Sequence, residues 1–278
     1  MSYNCFSLDI ADSIAHLRLN RPEKANSMIK EFWTELPAAI NDISDEAKAR
    51  VIVISSEGKH FSAGMDISVF MDGDLDGETH NRHVNAEAFR HHVKSLQDTF
   101  TCLEEARMPV LAACQGGVIG GAVDFVTACD CRYASADAFF CIQETAIGMT
   151  ADVGTYPRLA KVIPEGWARQ MSYTAERVPA ETAKAIGLVN EVYESADAML
   201  DGVMGIARQI AAHAPLAVTG AKRMINYARD HSTADSLDYI GLWNASMLNS
   251  EDIKKTYMAK AQKAAPQYDE LRPVKKGF

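Results

Sequence analysis

Two short apolar runs constrain this chain more than any other feature. Val51-Ile52-Val53-Ile54 and Pro109-Val110-Leu111-Ala112-Ala113-Cys114 are short for helices, and neither alternates with polar residues. The first is also dense in β-branched side chains. Each reads as a strand buried on both faces, which requires helices or other layers above and below it. A loop follows each run directly: Ser55 to Asp66 after the first, and Gln115-Gly116-Gly117-Val118-Ile119-Gly120-Gly121 after the second, with a helix over Ala122 to Ala128 starting at once. Strand, glycine turn, helix is the order that presents backbone N–H groups to a ligand.

The remaining periodicities fill in an α/β fold. Phe6, Leu8 and Ile10, then Ile14, His16, Leu17 and Leu19, flank a turn at Asp12 and Ser13 and predict a hairpin. Ser27 precedes Ile29, Phe32, Trp33, Leu36 and Ile40 at helical spacing, and a long helix is predicted from Val84 to Ala106. Between them the stretch from Met71 to His83 is polar and reads as a mobile insertion. Short strands are expected at Asp130 to Ala134, Ala138 to Cys141 and Leu188 to Tyr193, with helices at Gly166 to Tyr173 and Ala180 to Ala185. Four helices follow Asp197: Ala198 to His213, Pro215 to His231, Ala234 to Asn249 and Glu251 to Gln262. The organisation is a core over 1–197 and a helical region over 198–278.

Composition narrows the function classes. With 47% hydrophobic and 23% charged residues, the 278-residue chain is neither disordered nor collagen-like. Lys plus Arg number 28 against 37 Asp plus Glu, a net charge of −9. That balance, with no basic stripe, argues against a nucleic-acid partner. Six cysteines at 5, 102, 114, 129, 131 and 141 lack zinc-ribbon spacing and read as buried free thiols. Met1 to Ile10 shows no secretory pattern, no apolar stretch approaches the roughly 18 residues of a membrane span, and Lys275-Lys276-Gly277-Phe278 is not the peroxisomal Ser-Lys-Leu address. A cytoplasmic protein with no membrane association is expected.

Four places carry chemistry. The loop Phe61-Ser62-Ala63-Gly64-Met65-Asp66-Ile67 and the turn Gly120-Gly121 each offer one N–H, and two converging N–H donors make an oxyanion hole, although each glycine cluster also reads as a tight turn. Asp124 stands in the first turn of a helix that is otherwise almost wholly apolar. The helix dipole favours an exposed acid there, but explains poorly a buried one. Glu144 and Asp152 lie eight positions apart in an apolar, glycine-containing stretch, where raised pKa values would suit proton transfer. They also read as turn or cap residues, Asp152 capping the helix after Gly154. His80, His83, His91 and His92 lie in or beside the polar insertion and read as a solvated face, so no metal site is expected. Neither a Gly-x-Ser-x-Gly elbow nor a P-loop is present.

Arg21-Pro22 followed by Asn26, then Phe61-Ser62-Ala63-Gly64-Met65-Asp66, then Gly116 through Asp124 with Ala128-Cys129-Asp130, together resemble the enoyl-CoA hydratase/isomerase (crotonase) superfamily over nearly the whole chain. Within it, Gly148-Met149-Thr150-Ala151-Asp152-Val153-Gly154-Thr155 and Arg229-Asp230-His231-Ser232 leading to Trp243-Asn244-Ala245-Ser246-Met247-Leu248 are most similar to the Δ3,5-Δ2,4-dienoyl-CoA isomerases. The resemblance implies a ClpP/crotonase-like core of repeated ββα turns, with C-terminal helices that pack subunits into homotrimers or hexamers. It assigns Asp124, Glu144 and Asp152 as a catalytic set, and the N–H groups of Met65 and Gly121 as the oxyanion hole. An acyl-CoA thioester would be held along Ala63, Gly64, Met65, Asp66, Ile67 and Gly121, and no cofactor is implied beyond the coenzyme A of the substrate. Lys222 and Arg223 are candidates for CoA phosphates, or else a solvated helix face. The rival readings are an enoyl-CoA hydratase, which usually carries glutamates at the first two acid positions and lacks the third, and a non-catalytic acyl-CoA- or RNA-binding member of the superfamily.

Overall fold

The computed structural model of the chain describes residues 3–71 and 81–274, without the side chains of residues 70 and 71. Most of the stretch from Met71 to His83, His80 included, and residues 275–278 lie outside the described residues. In chain order the strands are β1 (Phe6–Ala11), β2 (Ile14–Leu19), β3 (Val51–Ser56), β4 (Val110–Cys114), β5 (Gly117–Ile119), β6 (Cys131–Ser135), β7 (Phe139–Cys141), β8 (Val178–Pro179) and β9 (Glu191–Tyr193). The helices are α1 (Phe32–Asp45), α2 (Ile67–Met71), α3 (Arg82–Glu105), α4 (Gly121–Thr127), α5 (Thr155–Val162), α6 (Glu165–Thr174), α7 (Ala180–Ala185), α8 (Ala196–Ala211), α9 (Pro215–Asp230), α10 (Thr233–Met247) and α11 (Ser250–Ala261).

The predicted hairpin β1-β2 opens a six-stranded sheet of order β1-β2-β3-β4-β6-β9, parallel after that hairpin. A second sheet runs β5-β7-β8. The chain thus repeats one unit: a strand in the large sheet, a short strand in the small one, then a helix, as in β4-β5-α4 and β6-β7-α5. These are the ββα turns that the resemblance implies. β3 is buried on both faces as its composition demands. Ile52 and Ile54 face the main core with Ala112, Cys114, Phe32, Phe100 and Phe125, while Val51 and Val53 face a second layer with Leu111, Ala113 and, from α8, Met199, Val203 and Ala207. α8 therefore completes the sheet's second face, and residue 197 falls inside it.

Several expectations change. α1 starts at Phe32, not after Ser27, because Ser27 bonds the distant Asp66 instead. Pro37 sits inside α1 and deprives the Trp33 carbonyl of its intrahelical donor, and the Thr99 hydroxyl of α3 donates to that carbonyl at 3.1 Å. α5, the helix expected after Gly154, runs from Thr155 to Val162 without Asp152 as its cap. Its Pro157 occupies the first turn, where a missing N–H leaves no bond unmade. β5 was hidden inside what read as a glycine turn. Lys222 is neither a solvated residue nor open to a phosphate: it is 7% exposed, and its Nζ reaches Asp130 at 2.8 Å and donates to the carbonyls of Leu103 at 2.7 Å and Met108 at 3.1 Å. Arg223 is exposed and lies over the rings of Tyr239 and Trp243. All six cysteines are free, and all but Cys131 are buried.

Candidate active site

The loop from Phe61 to Ile67 is stitched to two neighbours. Ser62 bridges Val118 of β5, its N–H donating to the Gly117 carbonyl at 3.2 Å while Ile119 N–H donates back at 3.1 Å. Met28 bridges Met65: Met28 N–H donates to the Gly64 carbonyl at 2.8 Å, and Asp66 N–H donates to the Met28 carbonyl at 3.0 Å. Both bonds go to the residues flanking Met65, so the N–H of Met65 itself points away from Met28. Gly64 sits at φ +81°, and a Cβ there would stand 2.5 Å from the Ile119 carbonyl oxygen and 3.0 Å from Gly121 N, so no larger residue fits. A Cβ on Gly121 would be 3.7 Å from Met65 N. Gly121 is the first residue of α4, where an N–H has no acceptor within the helix. The two expected oxyanion donors are thus neighbours.

The other loop residues take distinct positions. Ala63 and Ile67 are exposed, Gly64 is buried, and Met65, Asp66 and Gly121 are half-buried. The Asp66 carboxylate is engaged within the loop: Ser27 Oγ donates at 2.5 Å, and Ser68 donates from N at 3.0 Å and from Oγ at 2.8 Å. Those bonds, Ser27's first, hold its pKa down at about 2. Its backbone is engaged as well, the N–H by Met28 and the carbonyl by Val69 N–H at 3.0 Å. Asn26, one of the residues that carry the resemblance, braces the loop. Its Nδ2 donates to the carbonyls of Glu57 and His60, both at 2.9 Å, and its own carbonyl accepts from Ser62 Oγ at 2.8 Å.

The three acids stand in an electrostatic series. Asp124 is 1% exposed, and its Oδ1 accepts from Thr155 N–H at 2.6 Å. Burial first, and the charge of Glu144 second, push its carboxyl up to about 7, against the opposing Thr155 amide and the cation of Arg158. Glu144 begins a single 3-10 turn, Glu144–Ile147, with its Oε1 3.3 Å from where a Cβ on Gly120 would lie and its Oε2 buried without a hydrogen-bond partner. Burial raises its pKa, and the charge of Asp152 raises it further. Asp152 is half-buried and raised by burial, opposed by His92 of α3. It does not cap α5, whose N-cap is Gly154 with no side-chain bond.

Glu144 is therefore coupled by charge to each of the other two and stands beside the Gly120-Gly121 turn. Carboxyls raised by burial and by one another are suited to giving and taking protons. Sequence reading missed the groups that fix this set. Thr155 anchors Asp124 by its amide, and Gln97 of α3 donates from Nε2 to the Asp152 carbonyl at 2.7 Å. A backbone amide leaves no sequence signal, and Gln97 lies 55 residues from its partner. Among the described residues no cluster of His, Cys, Asp and Glu is arranged to hold a metal ion, and no helix is long and apolar enough to cross a membrane.

Known proteins share this arrangement of chain. The mitochondrial Delta(3,5)-Delta(2,4)-dienoyl-CoA isomerase of Homo sapiens is 40% identical over 247 residues, 88% of this chain and 75% of the human protein. The peroxisomal Delta(3,5)-Delta(2,4)-dienoyl-CoA isomerase of Arabidopsis thaliana is 37% identical over 260 residues, covering 93% of this chain and 94% of the plant protein. Among solved structures, an enoyl-CoA hydratase from Bacillus anthracis superposes with a TM-score of 0.84 at 28% identity, over 95% of this chain and 99% of that one. The family model for Enoyl-CoA hydratase/isomerase matches residues 9–271. With the crotonase fold and relatives of this similarity along almost its whole length, the chain belongs to the enoyl-CoA hydratase/isomerase family.

Proposed function

We propose that this protein is an isomerase that converts 3,5-dienoyl-CoA to 2,4-dienoyl-CoA, as in fatty acid β-oxidation. The observation that carries the reading is the third carboxylate. Asp152 acts on Glu144, whose buried Oε2 has no partner in the protein, and Glu144 in turn acts on Asp124. In the reaction a proton leaves C2, next to the thioester, and another arrives at C6. The C3=C4 and C5=C6 double bonds move to C2=C3 and C4=C5, and the composition of the substrate is unchanged. Between the two transfers the molecule is a dienolate with negative charge on the thioester oxygen. The N–H groups of Met65 and Gly121 receive that oxygen, where preorganised donors are usually the largest catalytic contribution.

Glu144 and Asp152 form the proton-transfer pair, one ionised and one protonated at the start of a turnover. Asp124, buried behind Glu144, sets the protonation pattern of the pair through its field. The thioester lies along Ala63 to Ile67 and Gly121, and no cofactor is called for beyond the coenzyme A that the substrate carries. The exposed apolar side chains Ile225, Leu237 and Leu242 support packing into a homotrimer or hexamer. The six free thiols favour a reducing compartment such as the cytoplasm, while the relatives named above are mitochondrial and peroxisomal.

The deciding experiment sets 3,5-dienoyl-CoA beside 2-enoyl-CoA with the purified protein, reading the absorbance of the conjugated diene and the hydration of the enoyl thioester. Diene formation at several chain lengths is expected, with Asp152→Asn keeping fold and binding but losing on the order of 100-fold or more in kcat. Efficient hydration without diene formation would establish the hydratase instead. Tight RNA binding in a gel shift at physiological salt, with neither activity, would favour the non-catalytic alternative.

A further inference from the structure

The segment 152–155 carries one acid and anchors another, and its outer side is held by a half-buried arginine that the proposed chemistry does not use. Arg158 of α5 has a side chain 11% exposed, folded back beneath the start of its own helix. Its NH1 donates to the Val153 carbonyl at 3.4 Å, its NH2 to Thr101 Oγ1 at 3.1 Å and its Nε to Glu104 Oε2 at 2.8 Å. Gly154, at φ +133°, is what admits it: a Cβ there would stand 1.8 Å from NH1. Glu104 is shared with the C-terminal region, since its Oε1 accepts from Arg229 NH1 of α9 at 2.6 Å.

Residue by residue the segment is pinned. Gln97 holds the Asp152 carbonyl, Arg158 holds the Val153 carbonyl and fills the space left by Gly154, and Thr155 N–H binds Asp124. The guanidinium thus contacts the backbone that runs from Asp152 to the amide holding Asp124. A cavity of about 350 Å3 on this side is lined by Gln97, Glu104, Arg158 and Arg229 together with residues 152–154 of the segment.

We propose that Arg158 is a positioning residue for the proton-transfer acids, oriented by a Glu104 that the tail residue Arg229 also grips, so that α9 helps to set the geometry of the active site. The proposal rests on the isomerase reading for its kinetic consequence. It also has a structural consequence independent of turnover: Arg158 is a cation whose charge favours the ionised form of Asp124.

The test uses the full-length protein and the variants Arg158→Met, Arg158→Lys and Glu104→Gln, with Lys161→Met as control. Lys161 lines the same cavity but pairs with Asp230 and is expected to be dispensable. In Arg158→Met kcat should fall on the order of 10- to 100-fold, with KM changed less than about 3-fold, because positioning acts on the chemical step. Arg158→Lys should recover part of kcat. Glu104→Gln should lower kcat in the same direction, and it carries the test if Arg158→Met does not fold.

A 13C titration of labelled aspartates, with Asp124 assigned by its loss in Asp124→Asn, should show the Asp124 midpoint moving upward in Arg158→Met and returning in Arg158→Lys. A wild-type kcat in both Arg158→Met and Glu104→Gln, or an effect on KM alone, overturns the proposal. So does an Asp124 titration that ignores Arg158→Met. If the wild-type protein converts no 3,5-dienoyl-CoA, the isomerase reading falls, and the Asp124 titration still decides whether the Arg158 charge reaches Asp124.

Discussion

Asp124→Asn should make the protein more stable at neutral pH while it damages the active site. The carboxyl titrates at about 7 in the folded chain against its ordinary 3.8, mainly because it is buried and next because Glu144 is charged. Between those values the folded state binds a proton that the unfolded state has released, so stability falls as pH rises through that window. At about 1.4 kcal/mol per pKa unit, the carboxyl makes the folded state about 4 kcal/mol less stable above pH 7 than below pH 4. Asparagine keeps an Oδ1 to accept from Thr155 N–H and cannot ionise, so it retains the bond and loses the penalty. Urea unfolding at fixed protomer concentration, from pH 4.5 to 8.5, measures the difference. The two proteins should agree within about 1 kcal/mol at the acidic end, diverge up to about pH 7 and keep a level difference above it. In a Glu144→Gln background the divergence should shrink, because the second cause is gone. A difference between the proteins that stays constant across the range would refute the assignment of a proton to Asp124.

Two other outcomes follow from the same geometry. Gly64→Ala places a Cβ 2.5 Å from the Ile119 carbonyl oxygen and 3.0 Å from Gly121 N at a positive φ. It should lower kcat by on the order of 100-fold or more, comparable to losing an oxyanion donor, with far-UV circular dichroism unchanged; wild-type turnover would show that the two N–H groups are not used together. Leu237→Glu combined with Leu242→Glu puts charge on two side chains that are 66% and 62% exposed in the single chain. The mass by sedimentation should drop to that of a protomer, and an unchanged oligomer would place the interface elsewhere.

The elements legible in the sequence were those fixed by local pattern. β3 and β4 announced themselves by unbroken apolar runs, and the burial of Asp124 by the apolar helix around it. What stayed hidden depended on partners far along the chain. A helix is read as following Ser27 until Asp66, 39 residues later, takes the serine hydroxyl. β5 is three residues of a glycine turn until β7 pairs with it. Lys222 looks like surface until Asp130 and two carbonyls enclose it. The candidate acids could be named singly, but their coupling as a series arises only because the fold brings Glu144 within reach of the charges of residues 20 and 8 positions away.

That series makes a statement about where each proton comes from. If Glu144 and Asp152 serve opposite ends of the diene, the proton delivered to C6 is one already resident on the second carboxyl, while the proton taken from C2 stays on the first. A single carboxylate would instead carry the same proton from C2 to C6. Enzyme equilibrated in D2O and then given less than one equivalent of protiated 3,5-dienoyl-CoA separates the two, because the resident proton has exchanged and the C2 proton has not. The two-carboxylate site should place deuterium at C6 in nearly every product molecule of that first turnover, as read by mass spectrometry and by the NMR signal of the C6 position. Protium at C6 would mean that one acid does both transfers. Asp152, for all its influence on Glu144, would then act only through its field.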